Sequence, residues 1–246
     1  MKVSIIIPAH NEEYLIGKVL ADVVDQVPLE IIEEVVVVDD HSIDATAQIV
    51  SEFAQNHTTF NIEVVSNNTP AGFANALRFG IKQARGDLLL HLMADGCDNI
   101  SDILLIFEKF KQKNIDMVCG SRYMKPGERN GGLVLKGFFS RLVGISLSRI
   151  INIPTKDCSN AFKMYKKDIL DNIMLNSDSF EISMELCVKA YLFGYKISEI
   201  STVWHEREDG SSDFKMFHES FGYIRLYFWA ILKYFNKVIY GKIIKL

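Results

Sequence analysis

Along its first half the chain alternates short β-branched apolar runs with longer stretches in which apolar residues recur every three or four positions. Val3–Pro8 is one such run and predicts a buried strand. After it, Leu15, Ile16, Val19, Leu20 and Val23 share one helical face, and Asn11 is placed to cap that helix, with Glu12 and Glu13 at its positive end. The run in "EEVVVVDDHS" predicts a second buried strand ending at Asp39 and Asp40. Ser42 or Asp44 then starts a helix whose core face is Ala45, Ile49, Val50 and Phe53. The alternation continues through a strand over Ile62–Val65, a helix over Phe73–Ala84, a strand over Asp87–Met93, a helix over Asp102–Lys111 and a strand over Met117–Gly120. Strands separated by helices of this length predict a mostly parallel α/β sheet covered on both faces, because a parallel crossover needs room for a helix.

The second half is less regular. Leu135–Ile150 and Phe180–Phe193 read as helices, and Ala161–Tyr165 and Tyr195–Ser201 as strands. "WHEREDGSSDF" is a polar loop, and from Phe214 the pattern turns helical and rich in aromatics and lysines. The longest uncharged stretch there, Leu226–Leu232, falls well short of the roughly 20 apolar residues of a membrane span. Aromatics with spaced lysines suit a helix lying in a membrane interface. The same pattern suits a helix packed on its own domain or on a second subunit, as in a homodimer.

A hydrophobic share of 48% with 24% charged residues belongs to a globular chain. The net charge of −4 is uneven: from Phe214 onward Lys215, Arg225, Lys233, Lys237, Lys242 and Lys245 face only Glu219, so the tail is basic and the rest acidic. That asymmetry points to a negatively charged surface as the tail's neighbour. The four cysteines, Cys97, Cys119, Cys158 and Cys187, form no CxxC pair and suit a reducing compartment. "MKVSIIIPAHNEE" reads as a strand rather than a signal peptide, so the expected location is cytoplasmic, peripheral at a membrane face.

In parallel sheets ligands bind beyond the carboxyl ends of strands. Pro8–Glu12, Asp39–Ser42 and Asp95–Asp98 all fall at such ends and should converge on one crevice. The chain has no GxGxxG, no GxxxxGK[ST] and no GxSxG, which weighs against dinucleotide, P-loop and α/β-hydrolase chemistry. Carboxylates gathered from three strand ends repel one another unless a cation offsets them, and a divalent ion on a diphosphate would do so. Taken alone, Asp39 and Asp40 read equally as turn residues or a cap, and His205 reads as a loop histidine before it reads as a late metal ligand.

Seven segments carry a resemblance: "SIIIPAHNEE", "EVVVVDDHSIDAT", "HLMADGCDN", "CGSRYM", "KDCSNAFKMY", "FEISMELCVKA" and "VWHEREDGSS". In this order they resemble the family 2 glycosyltransferases of the GT-A fold, and within it the dolichol-phosphate mannose synthase group and its bacterial polyprenyl-phosphate relatives. The resemblance implies a GT-A domain over residues 1–213, with a Rossmann-like, mostly parallel central sheet flanked by helices, and an amphipathic helical extension over 214–246. It implies that Pro8, Ala9, Asn11, Glu12 and Ala94 line a nucleotide pocket, with Asp39 or Asp40 on the base or ribose. Asp95 matches the second aspartate of the family's DxD and would hold Mg²⁺ or Mn²⁺. Met93 replaces the first, leaving Asp98 as a provisional second ligand. Arg122 matches an arginine facing the acceptor phosphate, and Ser159 and Asn160 line the acceptor side. Arg207 matches another basic residue near the phosphates, while Asp213 stands where the family has a lysine, with Lys215 nearby. Asp157 is the proton acceptor if the acceptor is a hydroxyl.

The implied reaction is inverting transfer from a nucleotide-sugar donor to a polyprenyl phosphate at the cytoplasmic membrane face, with no nucleic-acid partner. The alternatives are transfer to a glycan or lipid hydroxyl, or a weakly active sugar-nucleotide-binding protein.

Overall fold

The computed structural model describes residues 1–112, 114–131, 134–206 and 216–240, excepting the side chains of 134–136, 216–219 and 240. Its first part is a run of strand–helix units: β1 (Val3–Ala9), α1 (Ile16–Gln26), β2 (Ile32–Asp39), α2 (Thr46–Asn56), β3 (Ile62–Ser66), α3 (Phe73–Gln83), β4 (Leu88–His91) and α4 (Asp102–Phe110). Then follow β5 (Met117–Ser121), β6 (Glu128–Asn130), α5 (Val134–Ile150), β7 (Lys163–Lys166), α6 (Ile182–Phe193), β8 (Ile197–Ser201), β9 (Val203–His205) and α7 (Met216–Tyr240).

Seven strands form one sheet in the order β3-β2-β1-β4-β7-β5-β8, in which only β7 runs against the others. The sheet is therefore mostly parallel, as expected, and the strand order turns back between β1 and β4. Such a switch point leaves a crevice beyond the carboxyl ends of the strands.

Alternate residues of the central strands feed opposite cores. Ile5, Ile7, Val35, Val37, Leu88 and Leu90 meet α1 and α4 on one face, and Ile6, Val36, Val38 and Leu89 meet α3 and α6 on the other. Both faces are dry, which is why these strands read as unbroken apolar runs. The expected face of α1 is buried in full, whereas α2 buries Val50 outright and leaves Ile49 and Phe53 partly covered. Gly194 ends α6 in the left-handed conformation (φ 93°), where a side chain would be strained.

Three expectations at element ends need correction. Asn11 does not cap α1, which begins at Ile16; its own φ is 52° and its Oδ1 accepts from the Ile43 N–H (2.9 Å), so it staples the β1 end to the β2 end. The fourth strand stops at His91 rather than Met93, although the Leu92 N–H still reaches the Ile6 carbonyl (3.0 Å). The seventh starts at Lys163 rather than Ala161. The short pair β6–β9 was not anticipated: three-residue strands carry no readable period.

α7 packs Leu226 and Ala230, with Tyr223, Tyr227 and Tyr234, against the core shared with α5 and α6. Its other side exposes Phe221, Ile224, Phe228, Leu232, Phe235 and Ile239. Among the described residues no helix is long and apolar enough to cross a membrane.

Candidate active site

The ends of β1 and β2 are sewn together by main-chain and side-chain bonds. Ala9 pairs with Asp39, the Asp40 N–H donates to the Ala9 carbonyl (2.8 Å), the Asn11 N–H to Ser42 Oγ (3.0 Å) and the Glu12 N–H to Thr46 Oγ1 (2.8 Å). Asp44 accepts from Thr46 and Glu13; burial opposes its charge, but those bonds prevail and lower its pKa. Pro8, Ala9 and Ala94 are buried, so their side chains are covered, while Asn11 is exposed and Glu12 half-buried.

The neighbouring acids Asp39 and Asp40 have different surroundings. Asp40 is buried and both its oxygens are committed: Asn67 Nδ2 donates to Oδ1 (2.7 Å) and the Gly72 N–H to Oδ2 (2.8 Å). It thereby ties β2 and β3 to the start of α3. Asp39 is half-buried and accepts one longer bond, from the Ser42 N–H (3.3 Å). Of the two, Asp39 keeps hydrogen-bonding capacity for something outside the chain.

After β4 the chain turns sharply. Asp95 Oδ1 accepts from the Cys97 N–H (3.1 Å), an Asx-type turn that leaves Asp95 half-buried at the crevice. Asp98 is buried, and its Oδ2 has no hydrogen-bond partner. Burial first, and the Asp95 carboxylate second, push the Asp98 pKa up to about 7, against the pull of the Met93 N–H and Arg122. Among the described residues no three His, Cys, Asp or Glu side chains cluster as a closed metal site. An orphaned carboxylate oxygen beside a second carboxylate nevertheless suits a hard divalent cation that takes its other ligands from outside the chain.

Across the crevice, Arg122 follows β5. Its Nε donates to Asp157 Oδ2 (2.7 Å), one terminal nitrogen to Asp157 Oδ1 (2.8 Å) and its main-chain N–H to Oδ2 (3.1 Å). Asp157 is fully buried, and the Arg122 side chain is 13% exposed. Burial works against the guanidinium, but the Asp157 carboxylate outweighs it and holds Arg122 charged, its pKa above the ordinary value. The same terminal nitrogen reaches Ser140 Oγ (3.3 Å), which bonds Ser159 Oγ (2.9 Å), and Asn160 Nδ2 donates to the Gly120 carbonyl (3.0 Å). Ser159 is thus part of the arginine's support, and Asn160 braces the strand that presents it.

A small sheet joins the two sides. β6 and β9 run parallel, with Arg129 opposite Trp204, and Trp204 forms a bridge to Asp98 while the His205 N–H donates to the Cys97 carbonyl (3.0 Å). His205 thus ties this sheet to the Asp95 loop through its backbone. Arg207, Asp213 and Lys215 lie outside the described residues. Sequence reasoning missed Arg129 and Ser140, which lie outside every quoted segment, and Trp204, which lies within "VWHEREDGSS" but was given no role there.

With this geometry in view, comparison with known proteins places the chain. The model of the family described as glycosyl transferase family 2 matches residues 4–174. The chain belongs to that family. It is 31% identical over 222 residues to a dolichyl-phosphate beta-glucosyltransferase of Trichomonas vaginalis, an alignment covering 84% of this chain and 66% of the relative. It is 29% identical over 219 residues to the dolichol-phosphate mannosyltransferase of Pyrococcus furiosus, covering 87% of this chain and 60% of that one. The chain therefore spans less than two thirds of either relative's length. In fold it is similar to glucosyl-3-phosphoglycerate synthase from Mycobacterium tuberculosis, crystallised with Mn²⁺, UDP-glucose and phosphoglyceric acid: TM-score 0.70, 15% identity, 95% of this chain and 79% of that one. It is also similar to S. aureus TarS in complex with UDP-GlcNAc, with TM-score 0.65 and 26% identity over 94% of this chain and 67% of that one. The family 2 chain thus has the GT-A architecture expected from its motifs.

Proposed function

We propose that the chain transfers a glycosyl group from a nucleoside-diphosphate sugar to a polyprenyl phosphate, with inversion at the anomeric carbon. The observation that carries this reading is the Arg122–Asp157 pair. Asp157 has both oxygens engaged by one guanidinium, so it is poorly placed to take a proton from a hydroxyl acceptor. The guanidinium it fixes stays charged, and the nitrogen that Asp157 and Ser140 do not engage suits a phosphate oxygen instead. An acceptor that is already anionic needs no general base, and Asp157 then acts as the residue that positions Arg122. The relatives named above, both of which bear names for dolichyl-phosphate glycosyl transfer, support the same acceptor class.

In this reading Asp39 receives the base or ribose, with Asn11 and Glu12 shaping the same pocket and Asp40 holding its floor through Asn67 and Gly72. Asp95 and Asp98 would hold Mg²⁺ or Mn²⁺, which when bound supplies charge neutralisation for the diphosphate. The acceptor phosphate oxygen forms its bond to the anomeric carbon as the bond from that carbon to the diphosphate oxygen breaks, and the departing nucleoside diphosphate keeps the electron pair. Arg122 orients the attacking phosphate, and Arg207 is assigned to the phosphates by its motif. We further propose that residues 1–213 form the catalytic unit and that the exposed stripe of α7, from Phe221 to Ile239, rests on the membrane holding the acceptor.

The test offers the purified full chain a panel of nucleotide-sugars with polyprenyl phosphate in anionic vesicles, with and without chelator. A lipid-linked sugar that disappears with chelator, and co-sedimentation of the chain with the vesicles, are the expected results. No lipid-linked product from any donor overturns the transfer reading, and a chain that stays in the supernatant overturns the membrane contact.

A further inference from the structure

We propose that α5 lies beside α7 on an anionic bilayer, and that its thickness sets the height at which Arg122 meets the acceptor phosphate. The height depends on the phosphate-acceptor reading above, whereas the lipid contact of α5 does not.

α5 buries Leu147 and Ile151, yet Phe138, Phe139 and Leu142 are 60%, 53% and 52% exposed and Ile150 is exposed as well. Two phenylalanines and two aliphatic side chains left open on one helix are more than scattered surface apolar residues. Their stripe continues onto α7. The Tyr227 hydroxyl donates to Ser146 Oγ (3.0 Å), and Asn152 Nδ2 reaches the Tyr234 hydroxyl (3.4 Å), so the two helices lie side by side. Leu142 and Ile150 stand one turn either side of Ser146, while Ile224 and Val238 on α7 stand one turn from Tyr227 and Tyr234. All four are exposed, so apolar surface flanks the seam on both helices.

Charge selects the occupant. Residues 131–156 contain Lys136, Arg141, Arg149 and Lys156 and no acid, and residues 220–246 contain Arg225, Lys233, Lys237, Lys242 and Lys245 and no acid. The net charge of the chain is nevertheless −4, so the remainder is strongly acidic. Arg141, Arg149 and Arg225 are exposed beside the apolar stripe. A second copy meeting this surface about a two-fold axis would set cation against cation, whereas anionic headgroups neutralise both helices.

The same helix supports the acceptor side of the crevice, because Ser140 Oγ accepts from a terminal nitrogen of Arg122. At 100° per residue Ser140 lies about 200° round α5 from Phe138 and about 160° from Leu142, on the opposite side of the helix. A helix is about 10–12 Å thick with its side chains, and one lying in an interface sinks about 5–10 Å. With Phe138 and Leu142 at the acyl boundary, Arg122 therefore stands at headgroup height. An acceptor phosphate reaches it there while its isoprenyl chain stays in the bilayer.

The experiment compares the full wild-type chain with an α5 double variant, Phe138→Ser with Leu142→Ser, and an α7 double variant, Phe228→Ser with Leu232→Ser. Co-sedimentation uses vesicles of phosphatidylglycerol and phosphatidylcholine, against phosphatidylcholine alone. The α5 variant should lower partitioning by roughly ten- to a hundredfold with an unchanged urea midpoint, because the lost side chains are exposed in the free protein. Arg141→Gln and Arg149→Gln should each lower it by about fivefold, on the anionic vesicles only. In Phe138→Trp, lipids brominated along the acyl chain should quench tryptophan fluorescence beyond the wild-type level. Transfer to polyprenyl phosphate in vesicles should stay low in the α5 variant even at saturating lipid, while transfer to a short isoprenyl monophosphate in solution is unchanged. Partitioning that falls only in the α7 variant, or no added quenching in Phe138→Trp, overturns the lipid contact of α5. A lipid-free wild-type dimer that the α5 variant dissociates, with vesicle binding unchanged, overturns it in favour of a second copy. Transfer restored at saturating lipid reduces α5 to a tether and overturns the height. Partitioning lost in the α5 variant, with no transfer by wild type to either acceptor, keeps the lipid contact and removes the transfer reading.

Discussion

On the β1–β2–β4 side of the crevice the acids hold loops, whereas on the β5–β6–β9 side an acid holds an arginine. Asp40 bonds Asn67 and the Gly72 N–H, Asp44 bonds Thr46, and Asp95 bonds the Cys97 N–H. Each is a carboxylate satisfied by neutral donors, and each closes a turn. Asp157 instead takes three bonds from one residue and is sealed from solvent. The difference matters energetically. Removing a neutral partner exposes one unmet hydrogen bond, but removing one member of a buried ion pair leaves a whole charge without compensation.

The strongest way to break this comparison is to neutralise one acid on each side. Asp157→Asn should lower stability by about 3–5 kcal/mol, and Asp40→Asn by about 1–3 kcal/mol, read from urea unfolding at neutral pH. Equal losses would erase the distinction. Asp95→Asn should act on turnover instead, reducing transfer by roughly a hundredfold or more while leaving the unfolding midpoint near that of wild type. Retained transfer in that variant would remove Asp95 from the diphosphate site.

The smallest effect concerns the seam where the two sides join. His91 on β4 bonds the Tyr165 hydroxyl on β7 (2.8 Å), and burial, then Lys163, lower its pKa to about 3. In the unfolded chain that imidazole takes its proton near pH 6.5, whereas in the folded chain it resists until about pH 3. The contribution is therefore complete above pH 6.5 and lost as pH falls, by up to about 1.4 kcal/mol per unit across that window. His91→Gln should flatten the difference in stability between pH 7 and pH 5, measured by urea midpoints. An unchanged slope would mean that the seam does not keep the imidazole neutral.

The same contrast explains what could be read from residue order. The β1–β4 units are local: each strand and helix buries a face written within about a dozen residues, so periodicity finds it. Strand-end position brought Asp39 and Asp95 to attention, and the family motifs Arg122 and Asp157, but neither showed which partners these residues hold. Asp40 depends on Asn67, and Arg122 on Asp157, partners too far along the chain for any pattern to pair them. Asn11 illustrates the opposite failure. Its residue type and position favour a helix cap, yet a bond to Ile43 across the crevice rim wins. β6 and β9 are held by each other and by the Asp95 loop rather than by an apolar face, so no local signal precedes them.

The lone reversed strand has a consequence for how the chain comes together. β7 lies between β4 and β5, both made well before it, and β5 meets no strand of the β1–β4 group directly. A nascent chain that has emerged only as far as α5 therefore has an ordered left part with an open edge at β4 and a β5 that has nothing to pair with. Insertion of four residues, Lys163–Lys166, closes that edge and brings Arg122 alongside Asp157 in one event. Until then the crevice has one wall, and the open edge is the place where a stalled or truncated chain would stick to its neighbours.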